Sequence, residues 1–106
     1  MKNKTIKALL EMGMPADIKG FRYITDIMCL YENDEDLITG NLMCVYEKIA
    51  EQNNTTASRV ERAIRHAFSG ILKSGELKLI KKYLSTPKNK NGSLLATLYY
   101  RLELEE

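Results

Sequence analysis

Residues 54–71 read NTTASRVERAIRHAFSGI, and this stretch decides the fold. Its apolar side chains recur at i, i+3, i+4, i+7, i+8 and i+11, which is the spacing of one face of an α-helix. Thr56 is a suitable N-cap for this helix, and Ser58 with Glu61 fits a capping box equally well. The predicted inward face consists of Val60, Ala63, Ile64, Ala67, Phe68 and Ile71.

Turn and cap signals divide the rest of the chain into five further short helical segments, and no strand alternation interrupts them. Residues 53–56, Asn-Asn-Thr-Thr, predict a turn before the central helix, because Asn tolerates left-handed backbone geometry. Thr5 and Ser93 are the expected caps of the first and last segments. The pattern predicts an all-α fold, a compact bundle of about six short helices that contains a helix-turn-helix. The outer helices are expected over 5–12, 19–31, 42–52, 76–84 and 93–104, with a helical turn near Leu37 and a polar loop over 86–92.

Within these segments the apolar repeats indicate which side chains face the core. Cys29 and Cys44 also fall among apolar neighbours, and two cysteines are too few for a disulfide scaffold or a cysteine zinc site. We therefore expect both to be reduced thiols in the core. The other expected core residues are Ile6, Leu9, Leu10, Tyr23, Ile24, Ile27, Met28, Tyr31, Val45, Ile49, Ala50, Leu77, Ile80, Leu84, Leu95, Leu98 and Leu102.

The charged residues are unevenly distributed along the chain. Its 106 residues allow one domain, expected over 1–106, with a net charge of +2. Residues 57–92 carry nine basic and two acidic side chains, a balance of +7, whereas residues 1–56 carry six and nine, a balance of −3. Clustered positive charge is typical of a surface that binds a polyanion, although a solvated lysine surface fits the charge equally well.

Composition also argues against several classes of protein. No apolar run approaches the roughly 18 residues that span a bilayer, and the N-terminus lacks the apolar stretch of a signal peptide. We therefore expect a cytoplasmic protein with no membrane partner. A single histidine, no phosphate-binding glycine loop and no metal-ligand spacing argue against an enzyme, a cofactor or a metal site. The acidic residues 32–36 lack the spacing of an EF-hand loop and indicate a solvated turn.

Residues 42–71 have the proportions of a helix-turn-helix, whose second helix spans about 57–72. Small side chains at Ala50 in the first helix and Ala63 in the second would let this pair of helices approach closely. Because the apolar face of the second helix packs in the core, its opposite face must be exposed. That face displays Arg59, Arg62, Arg65, His66, Ser69 and Lys73, with Glu61 at its N-terminal edge.

These side chains suit the major groove of DNA. Arg presents a planar fork of donors that matches guanine O6 and N7, and Glu accepts from the cytosine amino group. Helix-turn-helix docking brings the N-terminal part of the second helix closest to the base edges, which favours Arg59, Glu61 and Arg62 as base readers. The side chains further along, which suit phosphates, are Arg65, His66 and Lys73.

Four stretches resemble one known family. Residues 54–67 read NTTASRVERAIRHA, residues 14–21 MPADIKGF, residues 46–50 YEKIA and residues 101–105 RLELE. They are similar to the corresponding stretches of the C-terminal effector domain of the stage-zero sporulation response regulator, the master transcription factor of endospore formation. The resemblance extends over about residues 5–105. It implies a six-helix bundle whose recognition helix reads a TGTCGAA-type box in double-stranded DNA.

The resemblance also implies roles for individual residues. Arg59, Glu61 and Arg62 would read bases, and the loop before the last helix would contact phosphates. Residues 75–84, here rich in lysine and followed by a shorter loop, would touch the sigma factor of RNA polymerase. Since one short helix buries little area, tandem boxes and a homodimer on DNA are expected. The implied backbone contacts of the recognition helix and the loop are Ser58, Arg65, His66, Lys88, Lys90 and Ser93.

No part of the chain resembles the phospho-acceptor receiver domain of this family. The sequence is therefore expected to be an excised effector domain or a stand-alone paralogue without a receiver. Two other interpretations stay open. The second helix could be a solvated amphipathic helix with ion pairs such as Glu61 with Arg65. Alternatively, the domain could be a protein-interaction module that modulates a full-length homologue or RNA polymerase without reading DNA, although such a module has no use for Arg59, Glu61 and Arg62.

Overall fold

The computed structural model describes residues 1–85 and 88–105. Six α-helices and one short 3-10 turn make up the regular structure of these residues, which contain no strand. The predicted all-α fold is confirmed. The predicted loop over 86–92 lies partly outside the described residues, at Thr86 and Pro87. The elements are α1 Lys2–Glu11, α2 Lys19–Asn33, the 3-10 turn Glu35–Ile38, α3 Leu42–Gln52, α4 Ala57–Ser74, α5 Leu77–Leu84 and α6 Asn91–Leu104.

The helix α4 lies at the centre of the bundle and packs against α2, α3, α5 and α6. Gly20, near the start of α2, determines how closely α2 approaches α4. A Cβ at Gly20 would lie 2.4 Å from the carbonyl oxygen of Ala63 and 2.7 Å from the Cβ of Ala67. Ala63 therefore packs closely against α2, and the absence of a side chain at Gly20 permits this approach.

The buried side chains form one core between the helices. Apart from the two cysteines, all predicted core residues of α2, α3 and α6 are buried, and so are those of α4 except Ala63, which is half-buried. Tyr31 and Tyr99 meet edge to face at 5.9 Å between ring centroids, which joins α2 to α6. The Cα radius of gyration is 12.5 Å, close to the ~13 Å of a compact domain of about 100 residues. Within the described residues, no helix is both long and apolar enough to cross a membrane.

Two predicted helix caps are wrong. Thr5 lies inside α1, where it is buried and its Oγ1 donates to the Met1 carbonyl at 2.8 Å. The helix starts earlier because the Met1 side chain is buried and its amino group pairs with Glu32 at 3.4 Å, so the first residues are held in place. Ser93 lies in the first turn of α6, which begins at Asn91 with Lys90 as its N-cap residue.

Six predicted core residues are not buried, among them Ile6 and Ala63, which are half-buried. Leu10 is 51% exposed, because the inward face of α1 is formed by Thr5, Ala8 and Leu9. Leu77, the first residue of α5, is 65% exposed because it precedes the packed part of that helix, where Tyr83 is buried. Both cysteines have free thiols, but Cys44 is exposed and Cys29 is only partly buried. Burial nevertheless raises the pKa of the Cys29 thiol.

Candidate nucleic-acid interface

The turn between α3 and α4 is four residues long and is closed by backbone hydrogen bonds. The amide of Asn53 donates to the carbonyls of Ile49 and Ala50, each at 3.2 Å, and the amide of Thr55 donates to Ala50 at 3.0 Å. Asn54 has φ 54°, the left-handed geometry that the sequence predicted for an Asn at this turn. The tight turn fixes the angle at which α4 leaves α3.

A side-chain hydrogen bond ties this turn to the rest of the bundle. The amide Nδ2 of Asn53 donates to the Ile49 carbonyl at 2.9 Å and to a carboxylate oxygen of Asp26 on α2 at 3.2 Å. The turn is therefore anchored to α2 as well as to α3. Such an anchor holds the N-terminal end of α4 in place relative to the core.

The N-cap of α4 is Thr56. Its Oγ1 accepts a hydrogen bond from the Arg59 amide at 3.3 Å, and its carbonyl accepts the first helical bond from Val60 at 3.0 Å. Ser58 lies inside the first turn, so the alternative capping box is wrong. With Thr56 as the cap, the Ser58 side chain lies on the exposed surface of the first helical turn.

The outward face of α4 carries the predicted site residues over an arc of about 160°, slightly less than half of the helix circumference. At 3.6 residues per turn, Arg62 lies opposite the buried face, Arg59 lies about 60° to one side and Glu61 about 100° to the other. Glu61 is half-buried on the flank near α3 and α6. The exposed residues of this face are Ser58, Arg59, Arg62, Arg65, His66 and Lys73.

An ion pair joins two of these residues. Glu61 Oε1 lies 3.4 Å from a guanidinium nitrogen of Arg65, one helical turn away, with side-chain exposures of 34% and 62%. The alternative interpretation of the sequence predicted this pair. An exposed pair of this kind contributes at most about 1 kcal/mol, so DNA can separate it at small cost. The pair is thus compatible with either role for the two side chains.

The loop before α6 lies beside α4. Asn91 Nδ2 donates to the hydroxyl of Tyr46 on α3 and to the backbone carbonyl of Glu61 on α4, both at 3.1 Å. Burial raises the pKa of Tyr46, and the bond from Asn91 acts against that rise. Lys88 and Lys90, immediately before Asn91, are exposed.

Two open clefts separate this loop from the outward face of α4, and Arg65 lines both. One, of about 300 Å³, also contains Lys73 and Asn89. The other, of about 380 Å³, also contains Glu61 and Lys90. The structure therefore brings most of the predicted phosphate-binding cations to one flank of α4, whereas Arg59 and His66 lie toward the opposite flank. Ser93 is half-buried in the first turn of α6.

The sequence assigned no role to the side chains of Tyr46 and Asn91, although Asn91 lies in the loop of residues 88–93 that the resemblance implies as a phosphate contact. Tyr46 belongs to the apolar repeat of α3, and Asn91 follows a run of polar residues that reads as a loop. The partners of Asn91 are 45 and 30 residues away in sequence, so no local spacing pattern connects them. Within residues 1–85 and 88–105, no group of three or more His, Cys, Asp or Glu side chains is arranged to hold a metal ion.

A protein-family model described as "Sporulation initiation factor Spo0A C terminal" matches residues 5–102. The chain belongs to this family. The match includes the turn, α4 and the loop before α6, so it covers every element of the interface. The Spo0A C-terminal family consists of DNA-binding domains of a sporulation transcription factor, and the family resemblance identified in the sequence is confirmed.

Proposed function

We propose that this Spo0A C-terminal domain binds double-stranded DNA sequence-specifically, as a transcription regulator of the sporulation-initiation type, with α4 in the major groove. One observation carries the proposal: behind a tight turn, α4 exposes an arginine-rich face directly opposite its buried face. A helix held in this way presents its N-terminal outward residues to the base edges. Arg62, at the centre of the face, would point at the floor of the groove.

In this proposal Arg59 and Arg62 donate to guanines, and Glu61 accepts from a cytosine amino group. Glu61 would first leave Arg65, which costs little because the pair is exposed to solvent. A carboxylate gains nothing from facing phosphates, whereas a cytosine offers it a donor. The presence of Glu61 beside the arginines therefore favours base reading over general attraction to a polyanion.

The remaining polar residues of the interface would hold the DNA backbone. Arg65 and Lys73 line the flank of α4 next to the loop, where Lys90 also lies. Phosphate contacts from a helix and a separate loop would fix the register of α4 on the duplex without contributing sequence preference. The proposed backbone contacts are Ser58, Arg65, His66, Lys73, Lys88, Lys90 and Ser93.

The family suggests a TGTCGAA-type box as the target, in the cytoplasm where the chromosome lies. One short recognition helix buries little area, so tandem boxes occupied by two copies would bind more tightly than a single box. Equal affinity per site for one- and two-box duplexes would contradict this arrangement. The exposed lysines of α5, Lys78 and Lys81 among them, would be the surface nearest to the sigma factor of RNA polymerase.

Arginine substitutions test the proposal. Arg59→Ala and Arg62→Ala should each weaken box binding by about 1–3 kcal/mol and relax the preference at one guanine. Arg22→Ala is the matched control, because Arg22 is exposed on α2 beside the α1 residues Lys2 and Ile6. Fluorescence anisotropy with box and point-substituted duplexes measures both effects.

Wild-type affinity in both arginine variants would contradict base reading by α4. If those variants also kept the ability to pair with a full-length homologue, the protein-interaction module would become the better account. Equal losses in the Arg22→Ala control would show that net charge, and not position on α4, controls binding.

A further inference from the structure

A single side-chain amide connects three elements of the interface. Asn91 is the first residue of α6, and its Nδ2 donates at 3.1 Å both to the Tyr46 hydroxyl and to the Glu61 carbonyl. Tyr46 is only 4% exposed and belongs to the core. Glu61 lies in the second turn of α4, among the proposed base readers. The amide therefore fixes the start of α6 against both a rigid anchor and the recognition helix.

The positions of the loop lysines depend on how Asn91 is held. Lys90 directly precedes Asn91 in the chain, and Lys88 lies three residues before it. Lys90 is the N-cap residue of α6, and its carbonyl accepts the first helical bond from Leu94 at 3.0 Å. Among the described residues, no side chain makes a capping hydrogen bond at this end of α6. Uncapped helix ends fray, so the first turn of α6 needs another restraint to hold Lys90 and the preceding residues in one position.

We propose that Asn91 is a positioning residue for DNA binding, which uses Tyr46 as its anchor to hold the loop lysines against the flank of α4. The inference rests on the proposed DNA-binding function. Loop and helix then present their phosphate-binding groups as one preformed surface, and no ordering of the loop has to accompany binding. The bond to Glu61 goes to its backbone carbonyl and not to its side chain. Since Arg59 and Arg62 also lie away from the Asn91 amide, sequence preference does not depend on it.

The test is Asn91→Leu, which removes both donated hydrogen bonds while keeping the size of the side chain and its neutral charge. We expect about a five- to tenfold loss of affinity for a box duplex. The slope of log affinity against log salt should become shallower by about one unit, because a loop phosphate contact is lost. The ratio of box to scrambled affinity should stay within about twofold of the wild type. A purely structural defect would not move the salt slope in this selective way.

Two further variants keep the inference testable. Tyr46→Phe removes one acceptor deep in the core and should produce a smaller loss with the same change in salt slope. Lys90→Ala should weaken wild-type binding clearly but should have little effect in the Asn91→Leu background, because the lysine is already displaced. Asn3→Leu, on the exposed surface of α1, is the matched control and should behave as the wild type.

The outcomes separate the two proposals. If the wild-type domain binds the box but Asn91→Leu keeps wild-type affinity and salt slope, the positioning role is wrong and the proposed function stands. An unchanged cost of Lys90→Ala in the Asn91→Leu background would also overturn it. If Asn91→Leu melts far below the wild type, the affinity and the salt slope of Tyr46→Phe decide whether the positioning role holds. Failure of the wild-type domain to bind any duplex would overturn the proposed function and this inference together.

Discussion

The contact between Gly20 and α4 gives the sharpest prediction about stability. An added Cβ at Gly20 would lie 2.4 Å from the Ala63 carbonyl oxygen and 2.7 Å from the Ala67 Cβ. Neither atom can rotate away, because one belongs to the helix backbone and the other is the short side chain of alanine. Gly20→Ala must therefore push α2 and α4 apart by on the order of 1 Å to reach ordinary van der Waals separation.

The cost follows from that displacement. Overpacking a well-packed interior typically costs about 1–3 kcal/mol, and the higher helix propensity of alanine returns at most about 1 kcal/mol. We expect Gly20→Ala to lower the free energy of unfolding by about 2 kcal/mol. For a domain of this size, the melting temperature should fall by about 8–15 °C. Because the displacement also moves α4 relative to the anchored turn, DNA affinity should fall as well.

Gly70 provides the matched control within α4 itself. A Cβ at Gly70 would have no atom within 4 Å, so Gly70→Ala adds helix propensity without a clash. It should raise the free energy of unfolding by about 0.5–1 kcal/mol. Urea titration and thermal melting followed by far-UV circular dichroism measure both variants. Equal stability of Gly20→Ala and the wild type would refute the argument from close helix packing.

Three other perturbations have predictable effects. Thr56→Ala removes the cap of α4 and should lower the free energy of unfolding, measured by urea titration, by about 1 kcal/mol. Ser58→Ala should leave it within about 0.5 kcal/mol of the wild type. The reverse order would show that the cap is misassigned. Burial raises the pKa of Tyr31 to about 12, above its unfolded value of 10, so the stability that its neutral form contributes is complete below pH 10 and is lost as the pH rises toward 12. Tyr31→Phe should therefore flatten the alkaline decline in melting temperature, and an unchanged decline would contradict the assignment. Replacing both Lys88 and Lys90 with Ala should reduce the salt slope of DNA binding by about two units, equally on box and scrambled duplexes, and a selective loss on the box would mean that the loop reads bases.

The sequence predicted the central part of the fold because the signals there are local. The apolar repeat from Val60 to Ile71 and the Asn-Thr turn both act within one or two helical turns. These signals located α3, α4 and the turn, and they identified the outward arginine face correctly. The choice between Thr56 and Ser58 as the cap required the structure, because both hydroxyls stand at acceptable spacing.

Predictions failed where a residue's environment depends on distant parts of the chain. Thr5 reads as a cap, but the burial of Met1 and its pairing with Glu32 extend α1 past it. Cys44 has apolar neighbours in sequence, yet it lies on the exposed side of α3. The sequence did not reveal the role of the Asn91 side chain, because its two partners come from helices that only the folded bundle brings together.

The most direct test of the central claim is the binding of the wild-type domain to a duplex with a TGTCGAA-type box and to a scrambled duplex, measured by fluorescence anisotropy across a salt series. The account predicts at least about tenfold preference for the box. We also expect a salt slope of about −3.6, because four basic side chains are proposed to contact phosphates at about −0.9 each. These side chains are Arg65, Lys73, Lys88 and Lys90. Equal, salt-sensitive affinity for both duplexes would contradict base reading by α4. No binding to either duplex at low salt would contradict DNA recognition altogether and favour the protein-interaction module.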